Sequence, residues 1–180
     1  MSHTIDNDVL KALRERRSVR SFLPEQISDG QLLAVLEAGT FAPTGKNRQD
    51  PWMVAVQKPE LLAKLREMNA AVLGKDVDPY YGAPTVILVF GSNPSEWRNS
   101  VQDASLVLGN MMNAAHSVGL GSCWINREME MFSTPEGREL VREFGLPEDV
   151  VGIGALSIGI PNGDIPPARP RKEGYYRIIR

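Results

Sequence analysis

The sequence is poor in cysteine and histidine: Cys123 is its single cysteine, and two histidines accompany it in 180 residues. A single cysteine excludes an intrachain disulfide and indicates a reducing compartment, so we expect a cytoplasmic protein. A structural zinc site needs more cysteine and histidine ligands than this composition offers, and we expect no bound metal.

Long apolar runs and an excess of positive charge are also missing. The most apolar run, Thr85–Gly91, is far too short to span a bilayer, and residues 1–8 lack the apolar core of a signal peptide, so we expect no membrane partner. The 20 basic and 22 acidic residues give a net charge of −2. Nucleic-acid binders are usually more basic, so an arginine cluster in this chain indicates a local site and no nucleic-acid partner.

The chain does have a hydrophobic fraction of 42%, which suffices for the core of one domain or of one half of a dimer. We predict a single domain over residues 1–180, with residues 161–180 as an extended C-terminal arm. The final run, residues 175–179, has the pattern of a last strand. A strand on so long a tether can join a partner's sheet, which favours a homodimer.

Hydrophobic periodicity and capping residues predict alternating helices and strands. A first helix, capped by Asn7 or Asp8, ends near Arg16; the other predicted helices cover residues 28–39, 61–73, 100–118 and 134–144. Gly39 is expected to end the second of these. The predicted strands cover residues 52–56, 85–90, 122–125 and 150–160. The last strand is rich in glycine, which predicts that a neighbouring group packs closely against its backbone.

Three guanidinium groups, those of Arg16, Arg17 and Arg20, lie with the Ser18 hydroxyl within five residues at the end of the first predicted helix. Planar donors that stay charged at any ordinary pH suit a phosphate group. If the backbone runs extended beyond the helix, Ser18 and Arg20 point to one side and Val19 to the other. The alternative is that the arginines complement the helix dipole and remain in solvent.

Two further segments are candidates for a site. Residues 41–52 form a polar loop without hydrophobic period, which is either a functional loop or a surface linker. Arg169, Arg171 and Lys172 form a second basic cluster at the opposite end of the chain. Both basic clusters could meet one polyanionic group, or the second could be a solvated tail, and the residues alone leave both open.

Four segments in this order resemble the FMN-dependent nitroreductase family: residues 16–20, residues 42–49, the long small-residue helix that runs into residues 119–125, and residues 169–172. The resemblance covers nearly the whole chain. It implies an α+β fold with a mixed, mainly antiparallel sheet flanked by helices. It also implies an intertwined homodimer with two FMN sites at its interface.

The resemblance further implies which residues hold the FMN phosphate and ribityl chain. These are Arg16, Ser18, Arg169 and Arg171, with Arg17 contributing mainly through its backbone. The two basic clusters would then serve one group.

For the isoalloxazine, the resemblance places Arg20 near the pyrimidine end, where its charge is the expected catalytic contribution. A loop of the other subunit would reach the flavin through Pro43, Thr44, Gly45, Asn47 and Gln49. The backbone near the flavin N5 edge would be that of Ser122, Cys123 and Trp124.

Two positions depart from the family pattern. Asp50 separates Gln49 from Pro51, where many members have glutamine directly followed by proline and tryptophan. Asn126 stands where some relatives carry an acidic residue near N5. Both departures concern substrate choice more than flavin binding. Asn69 matches a pyrimidine contact of longer relatives.

The function that the resemblance implies is hydride transfer from NADH or NADPH to flavin N5, followed by electron transfer to a nitroaromatic, a quinone or a similar small acceptor. Because the acceptor would occupy the space on the flavin that the nicotinamide has left, the kinetics would be ping-pong. Two alternatives stay open: a flavin-binding protein of this fold without reductase turnover, and a small α/β module that binds an anionic partner. No side chain stands out as a general acid, and Cys123, without an evident basic partner, is interpreted as packing near the cofactor.

Overall fold

The computed structural model describes residues 5–180; residues 1–4, part of the polar segment 1–8, lie outside the described residues. The helices are α1 (Asp8–Glu15), α2 (Asp29–Thr40), α3 (Pro59–Leu73), α4 (Ser100–Ser117), α5 (Glu128–Ser133) and α6 (Pro135–Glu143). The strands are β1 (Trp52–Val56), β2 (Thr85–Gly91), β3 (Gly121–Ile125) and β4 (Val151–Gly159). A short 3-10 turn covers Gly45–Asn47.

Local capping chemistry explains several of these boundaries. The Asn7 side chain accepts a hydrogen bond from the backbone N–H of Leu10 at the start of α1. Ser28 and Gln31 form a reciprocal capping box at the start of α2. At the end of α3, Gly74 adopts the left-handed conformation with φ of 68°, which glycine accepts without steric cost.

The four strands form one sheet in the order β1-β2-β4-β3, and each neighbouring pair is antiparallel. In residues 5–180, parallel pairing is confined to an isolated bridge between Ser18 and Ser122. The expected mainly antiparallel sheet is therefore confirmed. As predicted for a central strand, β2 is buried along its whole length.

Helices cover both faces of the sheet and divide the core in two. On one face, α2 and α4 pack with Val35 and Leu108 against the sheet. On the other face, α3, α5 and α6 contribute Leu65, Phe132 and Leu140. This arrangement confirms the expected α+β fold with a helix-flanked sheet. Among residues 5–180, no helix has the length and apolar character that a membrane crossing requires.

The glycines of β4 allow close packing, as its sequence predicts. A Cβ atom on Gly152 would lie 2.5 Å from the carbonyl oxygen of Glu128, and one on Gly154 would lie 2.8 Å from Nε1 of Trp124. Both distances are shorter than van der Waals contact, so a side chain at either position would displace α5 or the indole of β3.

The prediction that Gly39 ends the second helix was wrong. Gly39 is buried inside the last turn of α2, and a Cβ atom there would lie 2.6 Å from Sδ of Met53 and 3.0 Å from Cγ of Met111. The glycine therefore lets α2 approach β1 and α4 closely, and the helix continues to Thr40.

The predicted last strand at residues 175–179 is also absent from the described chain. Beyond β4, residues 161–180 run without a helix or a named strand, and we call them the C-terminal arm. Its apolar side chains near the end are exposed, namely those of Tyr175, Tyr176, Ile178 and Ile179. A strand forms only with a hydrogen-bonded neighbour, and the sheet of the same protomer offers this segment none.

Helix α5 was not predicted, because six residues are too few to establish a helical period. Its first residue, Glu128, is fully buried, and Oε1 accepts hydrogen bonds of 3.2 Å from Nδ2 of Asn69 and from the hydroxyl of Tyr80. The other oxygen, Oε2, has no partner in the described part of the chain. Burial raises the pKa of Glu128 to about 7, although hydrogen bonds from its own backbone and from Tyr80 act in the opposite direction.

We predict that Glu128 makes folding stability depend on pH. Because its pKa is higher in the folded chain than the ordinary value of 4.5, the native state binds the proton more tightly. Its contribution is complete below about pH 4.5 and is lost as the pH rises through about 7. The free energy of unfolding should fall by roughly 3 kcal/mol from this group across that window.

Glu128→Gln, a neutral isostere, should remove this decrease. The measurement is urea unfolding of both proteins at about pH 4.5 and about pH 8, on either side of the titration. The control is Glu130→Gln, which removes an exposed carboxyl from the same helix and should keep the wild-type dependence. A Glu128→Gln protein with an unchanged pH dependence would contradict the assignment.

Candidate functional site

The two basic clusters meet in one cavity. A cavity of about 570 Å³ lies between the end of α1 and the C-terminal arm, and it is lined by Leu13, Arg14, Arg16, Arg17, Ser18, Ala168, Arg169 and Arg171. The sequence left open whether the second cluster is a solvated tail. The structure places Arg169 and Arg171 opposite Arg16 and Ser18.

Backbone pairing brings the two ends of the chain together. Phe22 forms an antiparallel bridge with Pro161. The N–H of Leu23 donates to the carbonyl of Ile160 at 2.9 Å, and the N–H of Asn162 donates to the carbonyl of Ser21 at 3.0 Å. The chain leaving β4 therefore runs back along the segment that follows α1, and the arm continues toward the Arg16 cluster.

The arginines of the cavity have different partners. The Arg17 guanidinium donates to the backbone carbonyls of Arg14 and Arg16, so it caps the end of α1, as the helix-dipole interpretation proposes. Nη1 of Arg16 is buried and has no hydrogen-bond partner in residues 5–180. Within the same described range, Arg16, Arg169 and Arg171 take part in no salt bridge. Their charges are therefore available to an anion.

The segment after α1 pairs with β3 and with the chain just beyond β4 through isolated bridges at Ser18 and Phe22, as an extended backbone does. The N–H of Val19 donates to the carbonyl of Ser122 at 3.0 Å, which fixes the segment beside β3. The Val19 side chain packs over Gly121, where a Cβ atom would come within 2.8 Å of it. Ser18 and Arg20 are both exposed.

Arg20 belongs to the segment after α1, and Cys123 of β3 lies close to that segment. The Arg20 guanidinium carbon is 5.9 Å from the centroid of the Tyr81 ring. Burial raises the pKa of the Cys123 thiol, and the nearby groups of Arg20, Ser18 and Arg16 counteract this increase in part. A buried thiol whose pKa is raised is a poor nucleophile, which supports a packing role for Cys123.

Strand β3 presents two buried polar atoms without a hydrogen-bond partner in the described chain. These atoms are Oγ of Ser122 and Nε1 of Trp124. Buried polar groups are normally hydrogen-bonded, so unpartnered ones beside an arginine-lined cavity are consistent with a ligand site along this strand.

The loop predicted to reach the flavin, with Pro43, Thr44, Gly45, Asn47 and Gln49, has an unusual backbone; we call residues 43–49 the 43–49 loop. Lys46, Asn47 and Gln49 have φ values of 55°, 53° and 52°, in the left-handed region that costs a non-glycine residue about 1 kcal/mol or more. The N–H of Gln49 donates to Oγ of Thr44 at 2.9 Å. The loop thus has a defined backbone conformation with an internal hydrogen bond.

Within one protomer the 43–49 loop and the arginine cavity lie at opposite corners of the sheet. The loop leads into Trp52 at the start of β1, one edge strand, and the cavity lies beside Ser122 at the start of β3, the other edge strand. Trp52 is in register with Gly152 through β2, and Ser122 is in register with Ile158. Trp52 and Ser122 are therefore separated by three strand spacings across the sheet and six residues along β4, which gives a diagonal of about 25 Å.

The two departures from the family pattern have clear surroundings. The Asp50 side chain is buried, and its Oδ2 accepts a hydrogen bond from the backbone N–H of Ser92 at 3.0 Å, so it faces the end of β2 and not solvent. Asn126 is exposed, and its carbonyl accepts a bond of 3.1 Å from Nδ2 of Asn69. Asn69 also accepts from Nε of Arg127 at 2.8 Å. Asn69 is thereby held at the end of β3.

Sequence reasoning missed three buried residues that support these features: Tyr80, Glu128 at the start of α5, and Asp103, which bonds to the 43–49 loop. Tyr80 and Glu128 have polar neighbours in the sequence, so no local pattern marks them as buried.

Known proteins resemble this chain over most of its length. The model of the nitroreductase family matches residues 13–160. A protein of Archaeoglobus fulgidus with a provisional NADH dehydrogenase/NAD(P)H nitroreductase name is 30% identical over 159 residues, which is 87% of each chain. A Bacillus subtilis protein named FMN reductase (NAD(P)H) is 27% identical and covers 86% of this chain and 66% of its own.

The structure of a Bacteroides fragilis nitroreductase with bound FMN has a TM-score of 0.89 and 29% identity, covering 97% of this chain and 100% of that one. The residues matched by the family model include the end of α1, the 43–49 loop and β3, whereas the C-terminal arm lies outside the match. With most of its length matched in sequence and nearly all of it in structure, the chain belongs to the nitroreductase family.

Proposed function

We propose that this protein is an FMN-dependent oxidoreductase that takes a hydride from NADH or NADPH and passes electrons to a nitroaromatic, a quinone or a similar small acceptor. The observation that carries this proposal is the cavity where Arg16, Ser18, Arg169 and Arg171 converge without a carboxylate partner in residues 5–180. Relatives support it, since one is named FMN reductase (NAD(P)H) and another has FMN bound in its structure.

The cavity fits the phosphorylated end of FMN. Guanidinium groups form paired, charge-assisted hydrogen bonds with phosphate oxygens, and a serine hydroxyl adds a donor. The buried and unpartnered Nη1 of Arg16 is such a donor. Arg17 would contribute through its backbone, because its side chain is engaged in capping α1.

The isoalloxazine would lie along β3. The backbone of Ser122, Cys123 and Trp124 would line it near the N5 edge, with Asn69 held at the far end of the strand. Arg20 would hold a positive charge at the pyrimidine end. Bound FMN would supply the chemistry of accepting and returning a hydride, while the protein supplies binding, orientation and charge.

A homodimer would complete the site. Because Trp52, which follows the loop, and Ser122, beside the arginine cavity, are about 25 Å apart in one protomer, the loop would reach the flavin of a second protomer. The chain exposes 10984 Å², roughly a quarter more than the ~8,700 Å² expected for a compact monomer of this mass. The exposed tyrosines and isoleucines at the end of the arm would be covered by the partner.

Donor and acceptor would use one exposed face of the flavin in turn, which gives ping-pong kinetics. Arg20 would act by preorganised electrostatics, because a fixed guanidinium stabilises negative charge that develops beside it and transfers no proton. Neither Asp50 nor Cys123 would touch the reacting atoms, since both side chains are buried.

We predict that the purified protein is yellow, or becomes so on addition of FMN, and that it sediments as a dimer of the 19.9 kDa chain. Anaerobic addition of NADH or NADPH should bleach the flavin absorbance, and a quinone or nitroaromatic should restore it. Initial rates should give parallel double-reciprocal lines. Bound flavin that neither nicotinamide reduces would favour the alternative of a flavin-binding protein without turnover, and a colourless monomer that ignores FMN would reject the proposal.

We predict that Arg169→Ala weakens FMN binding about tenfold or more, because it removes charge-assisted hydrogen bonds to the phosphate. Riboflavin, which lacks the phosphate, should bind the variant and the wild type equally. Fluorescence titration of each flavin gives both constants. The matched control is Arg142→Ala, which removes an exposed arginine of α6. It should leave the affinities for FMN and for riboflavin unchanged. Equal weakening of FMN and riboflavin would contradict a phosphate role.

We predict that Arg20→Ala retains FMN but lowers the midpoint potential of the bound flavin, because the positive charge that favours the reduced form is lost. Arg20→Lys keeps a charge and should lower the potential less. A spectroscopic redox titration against a reference dye measures both. If the potential of Arg20→Ala equals that of the wild type, Arg20 does not have this role.

A further inference from the structure

One buried carboxylate from α4 holds the 43–49 loop. Asp103 is 3% exposed. Its Oδ1 accepts a hydrogen bond of 2.9 Å from the backbone N–H of Gly45, and its Oδ2 accepts one of 2.8 Å from Nε1 of Trp97. Both oxygens are therefore occupied by N–H donors, one on the loop backbone and one on an indole beside it.

The indole of Trp97 also contacts the loop at two positions, Gly45 and Arg48. A Cβ atom on Gly45 would lie 2.6 Å from Cζ2 of Trp97 and 2.7 Å from Nδ2 of Asn99, so a residue with a side chain does not fit there. The guanidinium carbon of Arg48 is 4.6 Å from the centroid of the Trp97 ring, a cation–π contact. Asp103, Trp97 and Gly45 together form what we call the Asp103 clamp.

The clamp lies immediately before the left-handed part of the loop. Lys46 and Asn47 follow Gly45 directly, and Gln49 comes two residues later. Within the loop, the N–H of Asn47 donates to the carbonyl of Thr44 at 3.0 Å. Unfavourable backbone conformations persist when surrounding contacts over-determine them, and they are common where a ligand is held.

We propose that Asp103 is a positioning residue that holds the 43–49 loop in its left-handed conformation and so preorganises Thr44, Asn47 and Gln49 for the flavin bound by the partner protomer. This inference rests on the proposed function. Asp103 itself touches no flavin atom; it acts through Gly45. Preorganisation favours binding because the loop loses no further conformational freedom when the ligand arrives.

Asp50 provides a matched comparison within the same region. It is also a buried carboxylate, and both of its hydrogen bonds come from Ser92: from the backbone N–H, at 3.0 Å, and from the hydroxyl. Its Oδ1 also lies 4.0 Å from Nη2 of Arg48, a long ion pair with an exposed side chain of the loop. A hydroxyl can donate or accept, so an asparagine at position 50 can keep both contacts. An asparagine at position 103 cannot, because its amide NH₂ would face an N–H donor in one of the two bonds.

The experiment compares Asp103→Asn with Asp50→Asn in the full-length protein, using two measurements. The first is cleavage by trypsin after Lys46 and Arg48, both exposed in the loop, followed by mass spectrometry without added flavin. The second is the affinity for FMN and for riboflavin. For Asp103→Asn we expect faster cleavage at these two bonds and about tenfold weaker binding of both flavins. The ratio of the two affinities should stay constant, because the proposal places the loop at the isoalloxazine, which both flavins have, and not at the phosphate.

Asp50→Asn should resemble the wild type in flavin affinity and in cleavage after Lys46. Cleavage after Arg48 is left out of this comparison, because the Arg48 guanidinium pairs with Asp50. The proposal is wrong if trypsin cleaves Asp103→Asn at the same rates as the wild type. It is also wrong if cleavage is faster but flavin affinity is unchanged. A reduced ratio of FMN to riboflavin affinity would also overturn it, since that change places the effect at the phosphate and not at the loop. If the wild type binds no flavin, the proposed function fails, while the cleavage rates still report whether Asp103 holds the loop.

Trp97→Phe keeps the proposal testable if Asp103→Asn does not fold. It removes the Nε1 donor and retains most of the ring that covers Gly45. One of the two bonds to Asp103 remains, so both effects should be present but smaller. If trypsin cleaves Trp97→Phe at the wild-type rate and the variant binds flavin with wild-type affinity, the proposed role of the clamp is wrong.

Discussion

The backbone hydrogen bonds between the segment after α1, the start of β3 and the end of β4 determine where the charged groups of this protein lie. Val19 donates to Ser122, Leu23 donates to Ile160, and Asn162 donates to Ser21. Through these contacts, two arginine clusters from opposite ends of the chain line one cavity. Arg14, one of the five arginines that line this cavity, pairs with Asp6, whereas the other four have no carboxylate partner in residues 5–180. Like charges repel one another in a small volume, so the convergence of these four supports the proposed anionic ligand.

The geometry of the sheet explains why the proposed flavin site needs two protomers. The arginine cavity is beside one edge strand and the 43–49 loop leads into the other, at the opposite corner. A rigid sheet core with β2 buried on both faces does not let these corners approach each other. The large exposed surface and the exposed apolar side chains at the end of the arm also favour a dimer.

Buried carboxylates serve this protein in two different ways. Glu128 leaves one oxygen without a partner, and burial raises its pKa to about 7. Asp103 has an N–H donor on each oxygen and links a helix to a strained loop. The difference lies in how the donors are distributed: Glu128 receives those of Asn69 and Tyr80 on one oxygen, whereas Asp103 has one N–H donor on each, and this distribution depends on tertiary packing.

From the sequence alone, local signals were sufficient for most helices and strands, for the extended backbone after α1 and for the close packing at the glycines of β4. These features depend on neighbours within a few residues or on the absence of a Cβ atom. Four outcomes depended on tertiary structure: α5, the packing role of Gly39, the lack of a strand at residues 175–179, and the meeting of Arg16 with Arg169. Each depends on residues distant in the sequence, because a six-residue helix, a buried glycine, a strand and a shared anion site all require partners that only the folded chain brings near.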